Sequence, residues 1–313
     1  MVWPMSREHP DDLLEAYAFG DCSSPDVGPH VADCDRCAEL VEVARKSAGW
    51  LAVSHVATPP VALRERVLAA ARSARAPSSA GASSAYVSQA AEMRALLDSL
   101  TPDQWQVPTA GGRSVRDLVL HLAGNDGNVL ADLGTPVPAV EDARRTWRDR
   151  SDGLLRTGDA LLAHPVRMAG RIPARRPLRE AFTQRAFETW IHEDDIRAAI
   201  ALPPAVPEPA HLARILAFGL ALLPGAMDAA GRGRPGTSAR LVLTGPGGDA
   251  HVLALSARGP AEAPPVAEVE MPADRFGRLM AGRVPVTGSV AVVTGDRPAA
   301  LDLLTVAATL GCE

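Results

Sequence analysis

Apolar residues recur at helical spacing along most of the chain and change to strand-like runs only toward its end. Leu13, Leu14 and Tyr17 follow Pro10-Asp11-Asp12, which predicts a short helix that Gly20 is placed to stop. A second helix is predicted from Pro29-His30 to about Val53. A third is predicted over residues 61–75, where Leu63, Val67, Leu68 and Ala71 make one stripe. Residues 76–85 carry only small, uncharged side chains apart from one proline, and read as a flexible linker. Beyond them, residues 88–100 place Met93, Leu96, Leu97 and Leu100 on one side. Ser114 is a plausible N-cap for a helix through Leu118, His121 and Leu122, and a longer helix covers residues 178–202. Helices of these lengths joined by loops point to a bundle.

Pro203, Pro204, Pro207 and Pro209 mark a second break, after which the pattern changes. A helix near residues 211–227 precedes strand-like runs at 240–244, 251–256 and 266–270. A helix near 274–281, a strand at 290–293 and a helix at 299–310 follow. That order predicts an α+β layer with a mostly antiparallel sheet. The expected fold class is therefore multidomain, α then α+β. Its units are residues 1–75, a linker at 76–85, a bundle at 86–202 and a sheet domain at 203–313.

Composition supports a globular chain. Of the 313 residues, 47% are hydrophobic but only 4% aromatic, so Ala, Leu and Val must build the core. Lys46 is the single lysine among 32 basic residues, a codon-usage signature with no functional message. The net charge of −5 argues against direct nucleic-acid binding, which favours a basic excess. No run approaches the roughly 20 uninterrupted apolar residues of a membrane span. The first residues lack a basic segment followed by an apolar core, so no secretory signal is expected. Four cysteines in a chain of this length are not a disulfide framework, and a cytoplasmic location is expected.

Two constellations carry chemistry. His30-x3-Cys34-x2-Cys37 places three ligands at i, i+4 and i+7, on one face of the predicted second helix. Structural zinc takes four nitrogen or sulfur ligands in a closed tetrahedron. His9 is the first choice for the fourth and Cys22 the runner-up. Oxidation of Cys34 or Cys37 would release the ion, with Cys22 available as a resolving thiol. The small unit has little core of its own, so a metal staple would help it fold.

His9, His30, Cys34 and Cys37, the helix Asp12-Leu13-Leu14-Glu15-Ala16-Tyr17-Ala18-Phe19-Gly20 and the detached Pro60-Val61-Ala62-Leu63-Arg64-Glu65-Arg66-Val67-Leu68 resemble zinc-binding anti-sigma factors over residues 5–75. The resemblance implies a structural Zn2+ and a domain that wraps a group IV (extracytoplasmic-function) sigma factor, with the distal helix as part of the clamp. The separation of His9 from His30 is shorter than the family pattern.

In the second constellation, Glu188 and His192 stand at i and i+4, and a separate helix carries His121. Two histidines and a carboxylate suit a divalent ion and leave a position for water or a thiolate, the layout of a catalytic site. Asp195, one turn beyond His192, is placed to orient its imidazole. Residues 86–202 resemble the DinB-like bundle of mycothiol-dependent maleylpyruvate isomerases. The matching residues are Leu100-Thr101, Trp105, the run from Gly112 to Gly124, and the run from Arg185 to Ile196. The resemblance implies that His121, Glu188 and His192 bind a second divalent metal, expected to be Zn2+, and that mycothiol is a candidate thiol ligand. Arg113 stands where that family usually has tryptophan. Residues 203–313 resemble the sterol-carrier-like domain beside that bundle, through Met271-Pro272-Ala273-Asp274-Arg275-Phe276, Leu279-Met280-Ala281-Gly282-Arg283 and Val292-Val293-Thr294-Gly295-Asp296. Arg283 is the candidate for holding an anionic group in the cleft, against the alternative of an ordinary surface arginine.

Gly231-x-Gly233-x-x-Gly236 follows a predicted helix and precedes a strand, the reverse of a dinucleotide-binding turn, and reads as a loop. The functional expectation is a cytoplasmic anti-sigma factor with a metal-binding sensor or accessory module. The alternative is a mycothiol-dependent isomerase or thiol transferase with an appended zinc bundle.

Overall fold

The computed structural model describes residues 9–53, 81–170, 174–258, 264–288 and 292–311. The chain forms two compact units, Met1–Ala76 and Pro77–Glu313. The helix expected over residues 61–75 lies outside the described residues, as does the first half of the expected linker.

In the first unit α1 spans Asp11–Phe19 and ends at Gly20, whose φ of +82° only glycine adopts without strain. Asp21 N donates to Ala16 O and Gly20 N to Tyr17 O, closing the last turn. The single helix expected from residue 29 to 53 is instead two, α2 (Val27–Asp33) and α3 (Asp35–Val53). Cys34 between them is extended, at φ −127° and ψ 106°, and its carbonyl accepts the first bond of α3 from Ala38 N. Among the described residues of this unit, Leu14, Val27, Cys37 and Val41 are the buried apolar ones.

The second unit opens with α4 (Ser84–Ser99), so the last residues of the expected linker are helical; Ser84 and Ala85 are buried. Ser114 caps α5 (Val115–Asp132), its Oγ accepting from Asp117 N at 3.1 Å. Asp142 likewise caps α6 (Ala143–Leu155), accepting from Arg145 N. This helix is absent from the sequence expectation, because charged residues dominate the segment and few apolar positions, among them the buried Trp147 and Leu154, mark its face. A short hairpin, β1 (Pro165–Arg167) with β2 (Arg175–Pro177), leads into α7 (Leu178–Ala199). Helix α7 packs on α4 and α5, and α6 on α5 and α4, which closes the bundle.

After α8 (Pro209–Ala229) come β3 (Ser238–Thr244), β4 (Ala250–Ala254), β5 (Pro265–Pro272), α9 (Ala273–Met280), β6 (Val292–Gly295) and α10 (Arg297–Ala307). The sheet order is β4-β3-β5-β6. Its outer pairs are antiparallel, but β3 and β5 run parallel. Helices α8, α9 and α10 cover one face, receiving Ala239, Leu241 and Leu243 of β3 and Ala267, Val269 and Met271 of β5. By length and composition α8 would reach across a membrane, yet Leu212, Ile215, Leu216, Leu220 and Leu223 along it are buried in the core. The glycines 231, 233 and 236 fall in the loop between α8 and β3.

Residues 86–202 and 203–313, expected as separate units, share one hydrophobic core. At their junction Trp190 of α7 donates to Ala205 O at 2.9 Å, and the Arg278 guanidinium of α9 lies 5.2 Å from the Trp190 ring centre. Gly277 of α9 meets the same ring: a Cβ there would stand 2.7 Å from two of its carbons. Gly277→Ala is therefore expected to destabilise the second unit, visible as a lower urea midpoint. Overpacking costs about 1–3 kcal/mol, which outweighs the roughly 1 kcal/mol that alanine contributes in a helix interior.

Candidate metal centres

The break at Cys34 assembles the first centre. Its extended backbone turns α3 back so that His30 of α2, Cys34 at the junction and Cys37 of α3 face His9, just before α1. His9 Nδ1 lies 3.2 Å from Cys37 Sγ and 3.6 Å from Cys34 Sγ, while His30 Nε2 lies 3.4 Å from Cys37 Sγ. All four ligand atoms fall within 4.8 Å of one another, and among the described residues no other group of three or more His, Cys, Asp or Glu does so. Metal–ligand bonds of 2.0–2.3 Å arranged tetrahedrally put ligand atoms about 3.5 Å apart, so the cluster fits a tetrahedral ion. Cys22 is outside the group and packs on the apolar core of the unit. The Cys37 backbone amide holds the Cys34 thiol below its ordinary value, whereas burial pushes the Cys37 thiol up.

The second constellation is brought together but not closed. His121 of α5 and His192 of α7 meet edge to face, with ring centres 5.5 Å apart. Glu188, one turn before His192, is 3% exposed and pairs through Oε2 with the equally buried Arg185 at 2.7 Å. Glu188 Oε1 is buried with no hydrogen-bond partner among the described residues. An anionic oxygen so placed beside two imidazoles fits a cation ligand set. Burial, then the neighbouring His192, lower the His121 pKa and keep its imidazole neutral, as a ligand requires.

His192 Nδ1 contacts Asp195 Oδ2 at 3.0 Å, which fixes its proton there and leaves Nε2 as the available ligand atom. Arg283, arriving after α9, grips Asp195 with two bonds of 2.9 Å, from Nε to Oδ1 and from Nη2 to Oδ2. Burial opposes ionisation of Asp195, but the bonds from His192 and Arg283 prevail and hold its carboxyl below the usual range. Arg283 thus stands at the site, engaged with Asp195. A space of about 10 Å³ beside Glu188, His192 and Arg283 is the size of one water.

Behind Arg185 lies a fully buried acid, Asp126, that no sequence motif marks. Tyr86 Oη donates to Asp126 Oδ2 at 2.6 Å. Burial pushes the Asp126 carboxyl up to about 7, with the Arg185 charge opposing. A carboxyl whose folded-state pKa is raised contributes stability that is present at low pH and lost as pH climbs through 7. Asp126→Asn is therefore expected to lose less stability than the unsubstituted chain between pH 5 and pH 8, by comparison of urea midpoints. Parallel losses in the two proteins would show that Asp126 stays ionised throughout.

Sequence spacing also passes over Asn125 and Arg185, although each lies on the face of an expected ligand: Asn125 is four residues after His121, and Arg185 three before Glu188. Asn125 Nδ2 sits 3.1 Å from Glu188 Oε2 and 3.3 Å from His121 Nε2.

No protein family and no curated protein matches the sequence. Solved structures similar in fold include the mycothiol-dependent maleylpyruvate isomerase, 18% identical, with 66% of this chain covering 89% of that one at a TM-score of 0.43. A histidine-to-alanine mutant of that isomerase matches with 16% identity at the same coverage and score.

Proposed function

We propose that the chain is a regulator: a zinc-stapled helical unit that sequesters a group IV sigma factor, joined to a metal-binding sensor or accessory module. The observation that carries this reading is the convergence of His9 before α1, His30 of α2, Cys34 at the α2–α3 junction and Cys37 of α3. A structural site of that composition contributes directly to folding energy. A second feature supports it. Leu14, Phe19, Leu40 and Val43 line a groove of about 530 Å³ between α1 and α3, with Asp11 and Arg36 also at its wall. Phe19 and Val43 are more than half exposed. An apolar groove of this kind on a small helical unit suits the amphipathic helix of a partner protein. Oxidation of Cys34 or Cys37 would free the ion and with it the partner, which makes thiol redox state a natural input.

The test is co-purification of the full chain with group IV sigma factors, in the presence of zinc and reductant. Recovery of a 1:1 complex that dissociates on chelation or thiol oxidation is expected. Failure to retain any sigma factor under reducing, zinc-replete conditions overturns the reading.

The buried Glu188 oxygen beside His121 and His192 favours a second reading, a mycothiol-dependent isomerase or thiol transferase. A divalent ion held by these three side chains would lower the pKa of a thiol and present it as thiolate. Around it, Asp195 sets the tautomer of His192 and Arg283 holds Asp195 in place. Metal- and thiol-dependent turnover that His192→Ala abolishes would favour catalysis over sensing.

A further inference from the structure

We propose that Asn125 is a fourth protein ligand of the second centre, its carboxamide presenting nitrogen to the closed set in the absence of metal and oxygen to a bound divalent ion. This rests on the reading that His121, Glu188 and His192 hold such an ion.

The second set is not closed as the first is. His121 and Glu188 come from different helices, and between them stands the Asn125 amide, whose Nδ2 serves both His121 Nε2 and Glu188 Oε2. Those are lone pairs a cation would use. A donor hydrogen-bonded to two prospective ligand atoms mimics a positive charge and stabilises them while the ion is absent. The ligand atoms of this set do not form a closed group such as the one in the first unit.

Removing the amide from that position leaves two outcomes. The Asn125 side chain can withdraw, or it can turn about its last bond and offer Oδ1 in place of Nδ2. Turning is favoured on chemical grounds. The side chain is partly buried on the same face of α5 as His121, four residues away, and an amide carries an acceptor opposite its donor. Carboxamide oxygen is an ordinary ligand for hard and borderline cations. The turn also removes the two hydrogen bonds that compete with the ion. Arg185 remains on Glu188 Oε2 in both states, and Oε1, which has no hydrogen-bond partner among the described residues, stays available.

The full chain is titrated with Zn2+ against a chromophoric chelator, and the second equivalent is compared in the unsubstituted protein, Asn125→Ala, Asn125→Asp and His192→Ala. Asn125→Ala is expected to weaken the second equivalent about tenfold or more. Asn125→Asp is expected to tighten it, since a carboxylate keeps the oxygen ligand, adds charge and repels Glu188 when no ion is present. Its melting temperature should then rise more on adding Zn2+ than that of the unsubstituted chain. Tighter binding in Asn125→Ala would make the amide only an obstruction and overturn the proposal, as would unchanged affinity in both Asn125 variants. If the unsubstituted chain binds a single equivalent and His192→Ala binds the same, the three-residue centre itself falls, and this proposal with it. Two equivalents in the unsubstituted chain with one in His192→Ala keep the centre, and the Asn125 variants then decide whether the amide is a ligand.

Discussion

Cys37→Ser is expected to bind one metal ion fewer than the unsubstituted chain and to lose cooperative structure across residues 9–48. Cys37 is at once the central thiol of the first centre, contacting His9 and His30, and one of four buried apolar residues among the described residues of that unit. A serine oxygen there is a poor ligand for a borderline-soft ion and leaves a polar atom in a fully buried position. Structural zinc sites contribute on the order of 10 kcal/mol to folding at neutral pH, a large share of the stability of any small domain. Elemental analysis gives the ion count, and amide hydrogen exchange over α1 to α3 reports the fold. Because the two units are separately compact, protection in α4 to α10 should persist. A Cys37→Ser chain that keeps its full metal content and slow exchange in α1 to α3 would show that the cluster is not a metal centre.

Glu188→Leu should lower the stability of the second unit by about 3–5 kcal/mol, the cost of removing one member of a buried ion pair. Arg185 and Glu188 are both almost completely shielded from water, and the guanidinium would lose the carboxylate that offsets its desolvation. The companion variant separates this from packing. Replacing both residues, Arg185→Met with Glu188→Leu, removes the two charges together and should recover most of the lost stability. Urea denaturation of the three proteins reads the cycle, and metal analysis of the double variant should show the second ion absent despite a stable fold. If the double variant is as unstable as the single one, the pair is not what the carboxylate contributes.

Much of the fold is legible along the chain. Gly20 ends α1 because the left-handed closing conformation favours a residue without Cβ, and Ser114 begins α5 because its hydroxyl can reach the amide three residues on. Both are interactions within one turn, so sequence spacing reports them. The His-Cys cluster is legible for a related reason: ligands three and four residues apart are neighbours whenever the intervening backbone is compact. The break at Cys34 is not, since α2 and α3 read as one amphipathic run. Helix α6 is hidden by its charged surface, and the parallel β3–β5 pairing depends on contacts between residues far apart in the chain.

At the second centre the division is sharper. Spacing alone places Glu188 and His192 on one face and His121 on another helix, because helical periodicity is a local property. Which side chain stands between them is set by how α5 and α7 pack, and packing inserts Asn125. It also buries Arg185 against Glu188 and brings Arg283, which follows α9, onto Asp195. Backbone geometry over a few residues writes the ligand pattern into the sequence. Desolvation and long-range contact decide which charges those ligands meet, and those terms exist only once distant segments have come together.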